Sequence, residues 1–218
     1  MKTIKVKGVG KVSIKPDLIM VSMNLETEDK DYKKAMELSA NKIEMLNNAL
    51  EKIGFEKKSV KTTSFNVHTN YERVKAIDGE YKTVFKGYAC NHSLKIEFDF
   101  DTKMLEKVLT SISTCLAKPE FSIHFTIKDK SAVSNELLKN VAKNAKEKAE
   151  ALCSALSVKL GELVSVNYNW GEIDVYSNTN YQVDARCMMK AEACLGSVNV
   201  EPEDINVEDS ATFEWEIC

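Results

Sequence analysis

The hydrophobic residues of this chain repeat at two different spacings, and the spacing changes several times along the sequence. Over residues 3–15, apolar and small residues alternate with lysine, threonine or serine. Between Asp31 and Ile53, the apolar residues recur every three or four positions instead. Alternation is typical of a strand with one buried face, and the longer spacing is typical of an amphipathic helix. The chain is therefore expected to combine strands and helices.

Applied to the whole chain, these two spacings predict the element order ββαββαβαβ, an irregular segment over 171–197, and a last strand. Hairpin-linked strands mixed with single helices favour the α+β class over a doubly wound parallel sheet. Residues 84–170 have the order βαβαβ, which a partner strand would complete into a ferredoxin-like half. We expect a single domain over 1–218, or two tightly packed subdomains within it, built from 1–83 plus 171–218 and from 84–170.

Composition and charge weigh against several classes of partner. The chain has 44% hydrophobic residues, only eight glycines and three prolines, and a formal net charge of −3. This composition is unlike that of a disordered protein, and the charge gives no general attraction to nucleic acid or anionic lipid. A stripe formed by Lys139, Lys143 and Lys146 alternates with glutamates, which predicts a solvated helix face with local ion pairs. Nucleic acid is therefore not an expected partner.

The N-terminus and the cysteines indicate a compartment. Lysines at alternate positions interrupt the first residues, and no apolar run approaches the roughly 20 residues that span a bilayer. We expect no membrane insertion and a cytoplasmic location, or a periplasmic one if a leader was removed. Cys115 and Cys153 fall on apolar faces of predicted helices, so reduced thiols are expected. Cys187 and Cys194 are the pair to watch for a disulfide.

One short pattern could supply metal ligands. Cys90 and His92 lie two residues apart on a predicted strand, so both side chains point to the same side. Thiolate and imidazole are ligands that zinc prefers, but a structural zinc site needs four ligands, and no C-x-x-C or H-x-x-x-H motif is present. Tyr88 and Leu94 share the same face, which favours core packing. A metal or ligand pocket near Cys90 and His92 is the alternative.

The sequence contains no recognisable catalytic motif. There is no G-x-S-x-G, and Gly8-Val9-Gly10 lacks the downstream residues of a phosphate-binding loop. Both glycines lie inside an alternating strand, where close approach of another backbone or a bulge is the favoured explanation. We therefore predict no catalytic residue and no cofactor.

Aromatic and methionine side chains gather around the irregular segment. Such residues are enriched in the cores of protein interfaces. They either cover the ends of the sheet or form a self-association surface. The candidates are Tyr168, Trp170, Tyr176, Tyr181, Met188 and Met189.

Short motifs spread over nearly the whole chain resemble the SIMPL-domain family. They are Val6-Lys-Gly-Val-Gly10 before Pro16-Asp17, Gly87-Tyr88, Phe125-Thr-Ile-Lys-Asp129, the Ala-rich stretch Ala142 to Ala155 with Leu160-Gly161, and Glu201-Pro-Glu-Asp-Ile-Asn-Val207. The resemblance implies an α+β fold and homo-oligomers, ring-like or channel-like in some members. It implies no agreed enzymatic activity, no catalytic motif and no cofactor.

Two functional hypotheses follow from the residues and the resemblance together. The first is a non-catalytic, self-associating scaffold or interaction protein. The resemblance adds a link to stress responses, and an adaptor for another protein shares the same sequence features. The second is a protein that binds a small ligand or metal, or an unassigned enzyme, with a pocket near Cys90 and His92.

Overall fold

The computed structural model describes residues 2–75, 80–169, 171, 173–179, 181–183 and 200–218. Its elements are β1 (Thr3–Ile14), β2 (Leu18–Asp29), α1 (Tyr32–Glu51), a short 3-10 turn (Lys57–Ser59), β3 (Lys61–Lys75), β4 (Tyr81–Asp99), α2 (Thr102–Thr114), β5 (Glu120–Thr126), α3 (Lys130–Ala155), β6 (Leu160–Tyr168), β7 (Tyr181–Val183) and β8 (Ile205–Ile217). The predicted α+β class and element order are confirmed, and the short strand β7 falls inside the segment expected to be irregular.

The chain divides into two compact units, and the first unit contains residues Met1–Asp17, Phe125–Asn178 and Pro202–Cys218. It holds a three-stranded sheet in the order β1-β8-β6, with antiparallel pairing, and α3 packs against it. Its core joins Val6 of β1 and Phe213 and Trp215 of β8 to a small-residue stripe on α3, in which Ala145 and Ala149 are fully buried. The small-residue stripe of α3 therefore faces this sheet.

The two glycines of β1 explain how closely α3 lies to the sheet. A Cβ atom on Gly10 would lie 2.6 Å from the carbonyl oxygen of Leu137, and one on Gly8 would lie 2.7 Å from Cβ of Ala145. Cβ atoms in proteins do not lie this close to other atoms, so positions 8 and 10 of β1 require glycine. The predicted close approach of another backbone to Gly8 and Gly10 is confirmed.

The second unit contains residues Leu18–His124 and Thr179–Glu201. Its sheet has the strand order β3-β4-β2-β5-β7. The first six elements, β2-α1-β3-β4-α2-β5, follow the βαββαβ connectivity of a ferredoxin-like domain. The core side chains of β2 and β4 are buried, and α1 packs against both strands.

The ferredoxin-like half was predicted at the wrong place. It begins at β2 and ends at β5, not over 84–170, because β6 pairs with β8 in the three-stranded sheet of the first unit. The physical reason lies in α3, whose alanine stripe fits the glycine-bearing strand β1. The prediction of one domain over 1–218 stays a prediction.

The structure describes four cysteines, and all four are free thiols. Cys90, Cys115 and Cys153 are buried free thiols, as predicted for the last two, and Cys218 is free and exposed. Cys187 and Cys194 lie outside the described residues. Within the described part of the chain, no helix combines the length and apolar character needed to cross a membrane.

Candidate interaction surface

Strands β3 and β4 extend beyond the rest of their sheet. β2 pairs with β4 only from Tyr88 to Asp99, whereas β3 stays paired with β4 as far as Tyr81. Residues 70–75 and 81–87 therefore form a two-stranded ribbon, which we call the hairpin arm. Two-stranded ribbons are marginally stable in water on their own, so a large apolar surface on one calls for an explanation.

The apolar side chains of the hairpin arm are exposed. Tyr71 is 55% exposed and Tyr81 is 68% exposed, and Val74, Val84 and Phe85 are exposed as well. The register pairs Tyr71 with Phe85, and by alternation this pair shares one face of the ribbon with Tyr81. By the same alternation Phe65 shares one face of β3 with Tyr71, and it is exposed as well.

Four aromatic rings form a continuous row from the hairpin arm to the start of α1. The ring centroids of Tyr71 and Phe85 are 5.7 Å apart, those of Phe85 and Tyr88 are 5.4 Å apart, and those of Tyr88 and Tyr32 are 5.4 Å apart. Each pair meets edge to face, an arrangement that stabilises aromatic contacts beyond the area they bury. The row is thus a preformed aromatic surface of the kind found in interface cores.

An ion pair holds the base of the hairpin arm against β2. The Lys86 ammonium donates a hydrogen bond to Oε2 of Glu28 at 3.0 Å. This hydrogen bond and the negative charge of Glu28 raise the pKa of Lys86 above its usual value. Gly87 also approaches β2 closely, since a Cβ atom there would lie 2.6 Å from the carbonyl oxygen of Asp29. The arm is therefore anchored where it leaves the sheet.

The outer edge of β3 is open and uncharged. β3 is the first strand of its sheet, and in the described part of the chain no strand pairs with its outer side. Residues 62–71 contain no Lys, Arg, Asp, Glu or Pro. Natural edge strands usually carry such residues, because unpaired backbone groups are a template for pairing with another chain. The β3 edge lacks this protection.

The corresponding edge of the other sheet is protected. β1 carries Lys5, Lys7 and Lys11 on the side of the strand opposite to Gly8 and Gly10. Lys11 lies 2.8 Å from a carboxylate oxygen of Glu208 on β8. Charged residues of this kind disfavour pairing with a further strand. Of these two edge strands, β3 is therefore the better candidate for contact between chains.

The structure describes three of the six interface residues predicted from the sequence. Tyr168 is half-buried against the core of the first unit, and its hydroxyl donates a hydrogen bond to Asp209 at 2.6 Å, which raises the pKa of Tyr168. Tyr176 is exposed, with the Lys130 ammonium 4.8 Å from its ring centroid. Tyr181 pairs with Ile123 at the β7 edge of the other unit. Trp170, Met188 and Met189 lie outside the described residues.

Cys90 and His92 occupy one face of β4, as predicted, but each has its own neighbour. The Cys90 thiol is fully buried, 3.9 Å from Sδ of Met36. Nε2 of His92 lies 2.8 Å from Oγ1 of Thr62, and the His92 ring packs on Phe65. No group of three or more His, Cys, Asp or Glu residues in the described ranges is placed to hold a metal ion. These contacts favour core packing over a shared ligand site.

Acidification is expected to destabilise the second unit through His92. Burial lowers the pKa of His92, and its buried Nδ1 atom has no hydrogen-bond partner among the described residues. Below about pH 6.5, the unfolded chain therefore binds a proton that the folded chain resists, so the free energy of unfolding falls as pH decreases until the folded pKa is passed. Urea titrations at about pH 7.5 and about pH 5.5 measure this loss.

The matched variants for this prediction are His92→Phe and His68→Gln. His92→Phe keeps an aromatic ring but cannot be protonated, so its stability should fall less on acidification than that of the wild type. His68 is exposed on β3, and His68→Gln should retain the full wild-type pH dependence. Equal pH dependence in the wild type and His92→Phe would rule out His92 as the source.

Similarity to known proteins covers nearly the whole chain. The family model SIMPL, described as a protein of unknown function (DUF541), matches residues 4–215. A 26 kDa periplasmic immunogenic protein of Brucella melitensis is 24% identical over 164 residues, and one of Brucella abortus is 23% identical over the same length. Each alignment covers 75% of this chain, and the chain spans 65% of the length of these relatives.

Proposed function

This chain belongs to the SIMPL family, as its motifs predicted, and from that premise we propose a non-catalytic protein that assembles with further copies of itself. The family description assigns no activity that would compete with this proposal. The contacts between copies are made by the outer edge of β3 and the exposed aromatics of the hairpin arm. A role as an adaptor for another protein would use the same surface.

The observation that carries this proposal is the uncharged stretch 62–71 of β3, whose outer edge pairs with no strand in the described part of the chain. An exposed edge of this length can add a strand from another chain, with backbone hydrogen bonds supplying affinity and side-chain pairs supplying specificity. In a two-fold antiparallel pairing centred on His68, Phe65 would lie opposite Tyr71 of the second copy. Cross-strand aromatic pairs of this kind stabilise sheets.

The proposed compartment is the periplasm. The names of both Brucella relatives give that location for those proteins, and the cytoplasmic location expected from the N-terminal residues is not confirmed. Three of the four described cysteines are buried, so in an oxidising compartment their thiols could not reach a second thiol to form a disulfide. Our proposal includes the role in stress responses that the resemblance implies.

The test replaces two aromatic residues of the β3 edge. Phe65→Lys combined with Tyr71→Lys places charges along the edge without touching a buried side chain, so the chain should fold and fail to assemble. Light scattering coupled to size exclusion, at high micromolar protein, should give the wild type a multiple of 24.5 kDa and the double variant the mass of one chain. Circular dichroism checks that both proteins are folded.

Tyr176→Lys is the matched control for this experiment. Tyr176 is 40% exposed and belongs to the surface predicted from the sequence rather than to the hairpin arm. The control should keep the wild-type mass. A strictly monomeric wild type would contradict self-association. A double variant of unchanged mass, or dissociation caused by Tyr176→Lys, would contradict the assignment of the surface to β3.

A further inference from the structure

A groove of about 980 Å³ runs between α1 and α2 of the second unit. Both helices line it at helical spacing, with Met45 and Ala49 on α1, Lys52 directly after α1, and Lys103 and Lys107 on α2. A volume of this order lies at the upper end of the range of pockets that bind small molecules. The groove is separate from the hairpin arm and from the pair Cys90 and His92, none of whose residues lines it.

The groove has an apolar lining that water reaches. Met45 is 44% exposed and Leu116 is 81% exposed, and Ala49, Ile53 and Cys115 also line the groove. Met45 lies outside the buried face that α1 turns toward the sheet, and Leu116 lies two residues beyond the end of α2. Exposed apolar surface gathered in a concave site is typical of a place where an apolar ligand binds.

Three lysines line the same groove and give it a positive charge. They are Lys52, Lys103 and Lys107, against a single carboxylate, Glu106. Among the residues that the structure describes, no ion pair joins any of these lysines to an acid. Unpaired ammonium groups beside an apolar lining match a ligand that has one anionic group and a hydrocarbon body.

The hydroxyl groups of the groove are already used within the helices. Thr110 donates to the carbonyl oxygen of Glu106 at 2.9 Å, and Thr114 donates to that of Thr110 at 2.8 Å. Ser111 donates to the carbonyl oxygen of Ala49 at 2.9 Å, which joins the two helices. Because the hydroxyl hydrogens are engaged, the groove has few directed donors for a sugar or a nucleotide.

We propose that this groove binds a single-chain fatty acid. The carboxylate lies at Lys52, Lys103 and Lys107, where charge alone suffices and no precise hydrogen-bond geometry is needed. The hydrocarbon chain covers Met45 and Leu116. Methionine suits such a ligand because its flexible thioether adapts to chains of different shape.

Titration calorimetry with laurate tests the proposal, with two other compounds as matched probes. Butyrate has the same charge without the long chain, and dodecyltrimethylammonium has the same chain length with the opposite charge. Laurate below its micelle concentration should bind saturably, with one molecule per chain. The two other compounds should bind far more weakly. Non-saturable laurate binding, or equal affinity for the cationic compound, would overturn the proposal.

Two pairs of lysine substitutions separate a site from general surface charge. Lys52→Gln combined with Lys107→Gln should weaken laurate binding about fivefold or more, the loss expected for two exposed charge contacts. Lys139→Gln combined with Lys143→Gln removes the same charge from α3 and should leave the affinity unchanged. Equal weakening by both pairs would show an unspecific charge effect and would overturn the site.

A second copy of the chain is the competing occupant of this groove. Leu116→Gln removes apolar surface without a large change of size, and it should weaken laurate binding while leaving the mass in light scattering unchanged. A fall in mass would assign the groove to contacts between copies and would overturn the fatty-acid site. Because the hairpin arm is not altered, this readout is independent of the Phe65 and Tyr71 variants.

Discussion

A Gly8→Val protein should lose about 3 kcal/mol or more of the free energy of unfolding of the first unit, at the upper end of the cost of overpacking. The added Cβ would meet the carbonyl oxygen of Val141 and lie 2.7 Å from Cβ of Ala145. Both neighbours belong to α3, and both residues are buried. Valine is otherwise favoured in strands, so the expected loss comes from the clash and not from strand propensity. Urea unfolding followed by circular dichroism measures it.

Gly171→Ala is the control for Gly8→Val. Among the described residues, no heavy atom lies within 4 Å of a Cβ atom placed on Gly171, so the change should stay within about 0.5 kcal/mol. Gly10→Val should resemble Gly8→Val, since its Cβ would lie 2.6 Å from the carbonyl oxygen of Leu137. Wild-type stability in both valine variants would mean that α3 does not lie against β1.

A close approach of another backbone to Gly8 and Gly10 could be predicted from the sequence, but that α3 makes this approach could not. A close backbone approach needs small side chains on each side, and the sequence places glycines on one strand and alanines along one helix face. The element order was predictable for a similar reason, since the spacing of apolar residues reflects the local backbone. The type of each element depends mainly on residues that are close to one another in the sequence.

The partner of each strand could not be predicted in the same way. β6 follows α3 directly, yet it pairs with β8 near the end of the chain. Alternation reports that one face of β6 is apolar but not which strand lies beside it. For this reason the ferredoxin-like connectivity was expected over 84–170, although it starts at β2.

The hairpin arm was missed because burial was inferred from alternation alone. An alternating strand is buried only where the sheet has a further layer or strand beside it. β3 has 15 residues and β4 has 19, whereas β2 has 12, so in the described part of the chain no third strand lies beside the ends of the hairpin. The difference in strand lengths is the signal that would have indicated an exposed ribbon.

The α1–α2 groove was missed for a related reason. The helical spacing marked the stripe that faces the sheet, in which Leu46 and Leu50 are buried. Met45 lies on the flank of the same helix and Lys52 directly follows it, and the role of both residues depends on where α2 lies. The position of a second helix is set by tertiary packing and leaves no pattern within α1.

Trp215→Ala should cost about 4 kcal/mol of the free energy of unfolding, the usual range for loss of a buried tryptophan. Trp215 is buried in the core of the first unit and stacks on Phe213, with ring centroids 5.5 Å apart. The facing side chains on α3 include Ala145 and Ala149, which are too small to fill the space left behind. Urea unfolding at low protein concentration measures the loss within one chain.

Tyr81→Ala removes an aromatic ring from the hairpin arm. Unlike Trp215→Ala, it should reduce assembly and leave the stability of the single chain almost unchanged. Its side chain is 68% exposed, so the stability of one chain should change by less than about 0.5 kcal/mol. At high concentration the same variant should assemble less, because binding between copies adds to stability only where the copies are associated. If Tyr81→Ala cost as much as Trp215→Ala at low concentration, the exposed aromatics would stabilise the fold of the single chain. They would then give no support for an interface.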